Sequence, residues 1–219
     1  MSLGWAWLGR VPYAEALQAQ RDRREAILAG QAPEILWALE HDPVLTTGRR
    51  APAGLPDRAD LASRGVDLHE TERGGLATWH GPGQLVVYAL IDAGRRGLGV
   101  RGLVTALEQG VITWLGAQGL PAGRREGYPG VWVQGTSPAG LDKICAVGLH
   151  FRRGVSMHGL ALNLTADLGA YRWFTPCGIT DAGVTRLVDH RPDGPAPQAA
   201  APGLCAALIA AIEPTRGVG

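Results

Sequence analysis

A chain of 219 residues with a formal net charge of +1 and three cysteines is excluded from several classes at once. It lacks the basic excess of a nucleic-acid binder, the cysteine framework of a small disulfide scaffold, and any apolar run near the roughly 18 residues that suggest a membrane span. With 46% hydrophobic and 19% charged residues, it reads as one ordinary globular domain over 1–219 that needs no metal or disulfide to fold.

The opening MSLGWAWLGR has neither the charged start nor the apolar core of a signal peptide, so a cytoplasmic location is expected. Residues 12–29 begin with proline and close at Gly30, the pattern of a helix. EILWALE at 34–40 reads as a short strand, 48–64 as a loop with at most one helical turn, and 66–70 as a second strand. Two strands, 76–79 and 85–91, flank the turn His80-Gly81-Pro82-Gly83. Apolar residues at helical spacing over 99–118 predict an amphipathic helix. Segments 130–134 and 143–151 form a hairpin, 157–164 is another strand, and 184–188 is a short one. The Pro- and Ala-rich stretch 191–202 reads as an exposed linker before a last helix at 204–212. Interspersed strands and helices with frequent hairpins predict an α/β (α+β) fold, with helices packed on a mixed or antiparallel sheet.

Four clusters carry the chemistry. RGGLATWHGPGQ at 73–84 places four glycines between two strands, where backbone N–H groups can approach a ligand closely. DKICAVG at 142–148 holds Lys143, and strand alternation would set Lys143, Cys145 and Val147 on one face. Lys143 is the only lysine in a chain with 21 Lys and Arg residues, so the sequence keeps a titratable amine where arginine would stay charged. SMHGLALNL at 156–164 buries His158 and Asn163 in an apolar strand, where each needs a partner. FTPCGI at 174–179 presents Cys177 between proline and glycine, outside any helix. Cys205 sits at a packing position of the last helix and Cys145 on a strand, so Cys177 ranks first as a nucleophile. A thiol near an ammonium ionises more readily, and a lysine with a lowered pKa can then return the proton. Zinc is the rival use of these residues, but no C-x-x-C or H-x-x-x-H spacing supports it.

The strings RGGLATWHGPGQ, KICAVG, HGLALN and PCGITDAGVTRL, with a weaker EHDPVLTTGR at 40–49, are similar to the motifs of the lipoyl(octanoyl) transferases. The resemblance runs from about residue 5 to 190. It implies the catalytic core shared with biotin and lipoate protein ligases, and transfer of octanoyl from acyl carrier protein to a lysine of a lipoyl domain. Lipoyl domains of 2-oxoacid dehydrogenase acyltransferase subunits and the glycine cleavage H protein are the implied acceptors. The resemblance matches Cys177 to the thioester-forming cysteine and Lys143 to the lysine that lowers its pKa. It matches the acyl-binding backbone to Arg73, Gly74, Gly75, Leu76, Ala77, Thr78, Trp79 and His80, to Ala146, Val147 and Gly148, and to Gly159, Leu160 and Ala161. His158 and Asn163 are supporting residues; no cofactor, no metal and a monomer are expected. Arg124, Arg125, Arg152 and Arg153 are candidates for a basic rim facing an acidic carrier protein. The competing readings are an ATP-dependent ligase of the same fold, a non-catalytic acyl or lipoyl-domain binding protein, and an amidotransferase between lipoyl domains.

Overall fold

The computed structural model describes residues 3–50, 55–174 and 181–213. Its chain order is β1 (Gly4–Arg10), α1 (Tyr13–Leu28), β2 (Ile35–Glu40), β3 (Val44–Thr47), α2 (Arg58–Ser63), β4 (Asp67–Glu70), β5 (Ala77–His80), β6 (Gln84–Leu90), α3 (Gly99–Ala117), β7 (Ala122–Arg125), β8 (Tyr128–Gln134), β9 (Leu141–Arg152), β10 (Val155–Asn163), α4 (Leu187–His190) and α5 (Pro197–Ile212). Among the described residues no helix is long and apolar enough to cross a membrane.

Among the described residues, ten strands form two mixed sheets. The larger has seven strands in the order β1-β2-β6-β10-β9-β8-β7, antiparallel except for the parallel pair β1–β2. The smaller has the order β4-β3-β5, with β3–β4 parallel and β3–β5 antiparallel. Alternation along the central strands divides the larger sheet into two buried faces. Leu36, Ala38, Leu85, Val87, Leu160 and Leu162 pack under α3 and α5 in the main core. Leu39, Val86, Tyr88 and Ala161 face α1 through Ala16, and Tyr13 and Leu17 extend that layer over Leu90 and Met157. The small sheet has its own core of Leu45, Leu61, Val66, Ala77, Trp79, Ala166, Ala170 and Phe174.

The two strands expected on either side of the His80–Gly83 turn form, but β5 belongs to the small sheet and β6 to the large one, so this turn passes between layers. Two expectations change. The predicted strand 184–188 reduces to one bridge from Val184 to Lys143. The ladder ends because the Thr185 carbonyl accepts from Asn163 Nδ2 at 3.0 Å and Val188 N–H reaches back to Leu164, which turns the chain into α4. The stretch 191–202 is not an exposed linker throughout, since α5 starts at Pro197 and buries Ala200 and Ala201. Proline is at home in a first helical turn, whose N–H groups have no intrahelical acceptor, and alanine is the best helix former.

Candidate active site

A narrow cavity lies between the α1 face of the large sheet and the loop leading into β5. Its floor is Val86 and Tyr88 of β6, Gly159 and Ala161 of β10, and Ala146 and Gly148 of β9; its roof is Tyr13, Arg73, Gly74, Gly75, Thr78 and His80. The hollow exists because four adjacent floor positions carry glycine or alanine where larger strand residues would fill the layer. Gly159 also sets the strand spacing: a Cβ there would sit 2.0 Å from the Val87 carbonyl oxygen. Gly159→Ala is expected to push β10 from β6 and destabilise the fold by roughly 1–3 kcal/mol, the usual range for overpacking. A urea midpoint equal to that of the parent protein would contradict this close approach.

The cavity shares Gly74, Gly75, Val147 and Gly148 with a wider adjoining cleft, which Lys143 lines. Leu76, Val100, Val104, Tyr128, Pro129, Leu149 and Arg50 also line it. Lys143 is only 7% exposed. Its Nζ donates to the Pro129 carbonyl at 3.0 Å and lies 4.8 Å from the centre of the Trp132 ring. Gly130 makes room for the lysine stem: its φ is +128°, and a Cβ there would meet Lys143 Cε at 3.3 Å and the Cys145 carbonyl at 2.4 Å.

Simple alternation does not hold on this strand. Val131 pairs with Cys145 and Trp132 with Lys143, so Ile144 is an extra residue, a β-bulge. Ile144 and Cys145 are both fully buried in the main core, and Lys143 turns instead to the cleft. Lys143 and Cys145 therefore do not share a face. The Cys145 thiol is pushed far up by burial, and the Cys205 thiol, buried in α5, is pushed up to about 12. Neither holds appreciable thiolate at neutral pH. Cys177 lies outside the described residues.

The C-terminal half of its motif is firmly placed beside the lysine. Lys143 N–H donates to the Gly183 carbonyl at 2.9 Å, and Thr185 N–H donates to the Lys143 carbonyl at 3.0 Å. Asp142 Oδ1 accepts from Gly183 N–H at 3.0 Å. Arg125 grips Asp181 with two hydrogen bonds, 3.1 and 2.6 Å long.

Buried histidines surround the cavity, and all are held neutral. His80 Nδ1 donates to Gln84 Oε1 at 2.7 Å; Gln84 Nε2 donates to Asn163 Oδ1, and Asn163 in turn to the Thr185 carbonyl. A hydrogen-bonded chain through Asn163 thus ties the cavity wall to the segment beside Lys143. Burial, then the neighbouring His41, pushes His80 down to about 3. His158 has the left-handed φ of +62° and its N–H donates to Gln20 Oε1 at 2.8 Å. That backbone turn brings it onto the cavity wall against the Tyr88 ring, out of step with Leu160 and Leu162. Burial, then Arg73, pushes it down to about 3. His41 Nδ1 donates to the Val11 carbonyl at 2.6 Å, so its Nε2 accepts from the Tyr88 hydroxyl at 2.6 Å; burial pushes it down to about 4.

Of the residues expected at the site, Arg73, Gly74, Gly75, Thr78, His80, Ala146, Val147, Gly148, His158, Gly159, Leu160 and Ala161 come together around the cavity, and Leu76 lines the cleft. Ala77 and Trp79 do not; they alternate away into the core of the small sheet. Arg73 donates to the Thr46 carbonyl and hydroxyl at 2.7 and 2.9 Å, bracing the roof against β3. The four rim arginines form no single patch and none lines the cleft: Arg124 pairs with Glu108, Arg125 with Asp181, and Arg152 and Arg153 with Glu25. Tyr13, His41, Tyr88, Pro129, Trp132 and Arg50 escaped the sequence reading. His41 stood in the weak EHDPVLTTGR string; the others carry no local signal, because strand and helix periodicity marks a buried face and not a cavity wall.

The fold is that of the lipoate and biotin protein ligases. A bi-partite lipoate protein ligase from Thermoplasma acidophilum shares the fold with TM-score 0.66 and 18% identity, over 97% of this chain and 82% of that one. Biotin protein ligase from Aquifex aeolicus follows with TM-score 0.58 and 14% identity, over 96% and 70%. Residues 12–209 match the family described as the lipoyl protein ligase A/B catalytic domain, and the chain belongs to that family. Within it, the chain is similar to an octanoyltransferase of Cereibacter sphaeroides, 46% identical over 196 residues that cover 84% of this chain and 87% of the relative. An octanoyltransferase of Dinoroseobacter shibae is also 46% identical, over 83% and 84%.

Proposed function

We propose that this protein transfers octanoyl from the thioester of acyl carrier protein to a lysine of a lipoyl domain, through a thioester on Cys177. The observation that carries the reading is the narrow cavity adjoining the cleft of buried Lys143, whose strand is bonded to the segment 181–185 that follows the Pro-Cys-Gly motif in sequence. The two remaining thiols are core residues and are poor candidates for the nucleophile.

The Cys177 thiolate attacks the octanoyl carbonyl of the donor. The carbon–sulfur bond to the carrier's phosphopantetheine breaks, and the Lys143 ammonium protonates the departing thiolate. The octanoyl tail lies in the cavity over Gly159 and Ala161. The amine of the acceptor lysine then attacks the Cys177 thioester, an amide forms, and Cys177 leaves as thiolate. Lys143, now neutral, takes the proton released from the amine. Thioester aminolysis is downhill, so the cycle needs no ATP. The narrow, mostly apolar cavity limits the water that would hydrolyse the intermediate. The acceptors we propose are lipoyl domains of 2-oxoacid dehydrogenases and the glycine cleavage H protein, reached in the cytoplasm by a monomeric enzyme.

Intact mass after incubation with octanoyl-acyl carrier protein tests the route. One octanoyl group is expected on the parent protein and on Cys145→Ser, and none on Cys177→Ser. No adduct on the parent, with intact donor, would remove the thioester mechanism; octanoylation from free octanoate and ATP would replace it with the ligase reading.

A further inference from the structure

Lys143 sits on a built seat. The Trp132 ring is 1% exposed and fixed by its own Nε1–H, which donates to the Tyr128 carbonyl at 3.1 Å. One cation on this ring is the Lys143 ammonium, and the Arg125 guanidinium lies 5.2 Å from the same ring and 4.3 Å from that of Tyr128. Two cations on one ring would repel, but Asp181 neutralises Arg125 through its paired hydrogen bonds. Asp181 also opens the segment 181–185 that runs beside Lys143. One aromatic plate thus meets both the lysine and the clamp on that segment.

We infer that Trp132 is a positioning residue for the reaction: its ring and the Pro129 carbonyl hold the Lys143 ammonium at the cleft, and the Arg125–Asp181 clamp stacked on the same ring ties the segment 181–185 to that seat. The inference rests on the cysteine–lysine reading above and assigns what sets the charge on its lysine. An aromatic face and a carbonyl favour the ammonium over the neutral amine, against the cost of burial. A retained ammonium favours the neighbouring thiolate. Among the described residues, the other charged or titratable groups around this seat are Glu108 from α3, Arg124 from β7, Asp142 and the un-ionised Cys145 thiol from β9, Tyr128 from β8 and Arg50 at the cleft. Glu108 accepts from Gly130 N–H and pairs with Arg124, and Asp142 accepts from Gly183 N–H, so each is compensated locally.

The test is the pH dependence of Cys177 alkylation by iodoacetamide, followed on its peptide by mass. Trp132→Leu is expected to move the thiol midpoint up by roughly one pH unit, the size of a partly desolvated cation–π contact, and Trp132→Phe to restore most of it. Fluorinated tryptophans placed at position 132 keep the size of the ring while draining its negative face. The midpoint should climb with each added fluorine, a response that packing alone does not produce. A flat fluorine series overturns the inference, and decides the matter by itself if Trp132→Leu does not fold. If the parent midpoint matches a free cysteine, or Lys143→Met leaves it unmoved, the cysteine–lysine reading falls as well. A low parent midpoint that rises in Lys143→Met, with a flat fluorine series, removes only the role of Trp132.

Discussion

Lys143→Arg keeps a cation at the cleft and is expected to lose roughly 10²–10⁴-fold in octanoyl transfer, the range of a positioned acid–base group. The loss should fall unevenly on the two steps. Arginine stays protonated, so it can still favour the thiolate, but it cannot accept the proton of the acceptor amine. The acyl-enzyme should therefore form slowly, then persist. Lys143→Met removes the charge too and should impair both steps. Single-turnover mass spectrometry with octanoyl-acyl carrier protein, chased with a lipoyl domain, separates the two. Deacylation of Lys143→Arg at the parent rate would end the proton-carrying role. The buried seat explains why exchange is not conservative here: at 7% exposure, beside Pro129 and Trp132, the side chain that must take the proton has little contact with bulk water.

The second large effect is acid instability. His41, His80 and His158 are buried and pushed down to about 4, 3 and 3, while an unfolded histidine titrates near 6.5. Between those limits the unfolded chain binds protons that the folded chain refuses. Stability is therefore full above about pH 6.5 and falls as the pH drops toward 4, by roughly 1.4 kcal/mol per unit for each histidine. Three such groups would exhaust an ordinary stability of about 5–15 kcal/mol within a few pH units. The rings are too close to charge together, with 5.8 Å between the centroids of His41 and His80. Urea midpoints measured from pH 7.5 to 4.5 should fall steeply, and His80→Gln should flatten the slope. A constant midpoint over that range would mean that these histidines are not held neutral.

The helix α3 was legible from the apolar face it buries, α1 from the proline and glycine that bound it, and the strands β2, β6, β8, β9 and β10 as short apolar runs set between turn residues. The reacting groups were legible for a chemical reason: one lysine among arginines, and a cysteine between proline and glycine. The strands β1, β3 and β7 were not, being edge strands or as short as four residues, and their pairing energy comes from neighbours distant in sequence. Local pattern also could not say that the turn at His80–Gly83 crosses from one sheet to another, since both flanking strands are apolar. The same blindness covers Ala77 and Trp79, whose side chains point into the second core and not into the cavity.

By itself, then, the sequence determined the family, the main elements and the chemical types available to the site, all of which depend on residue identity and near neighbours. Tertiary structure decided the rest. The Ile144 bulge separates Lys143 from Cys145, the left-handed turn at His158 brings an imidazole to the cavity, and Trp132 becomes the floor under the lysine. Each is a relation between strands far apart in the chain, and only their register in the folded sheet creates it.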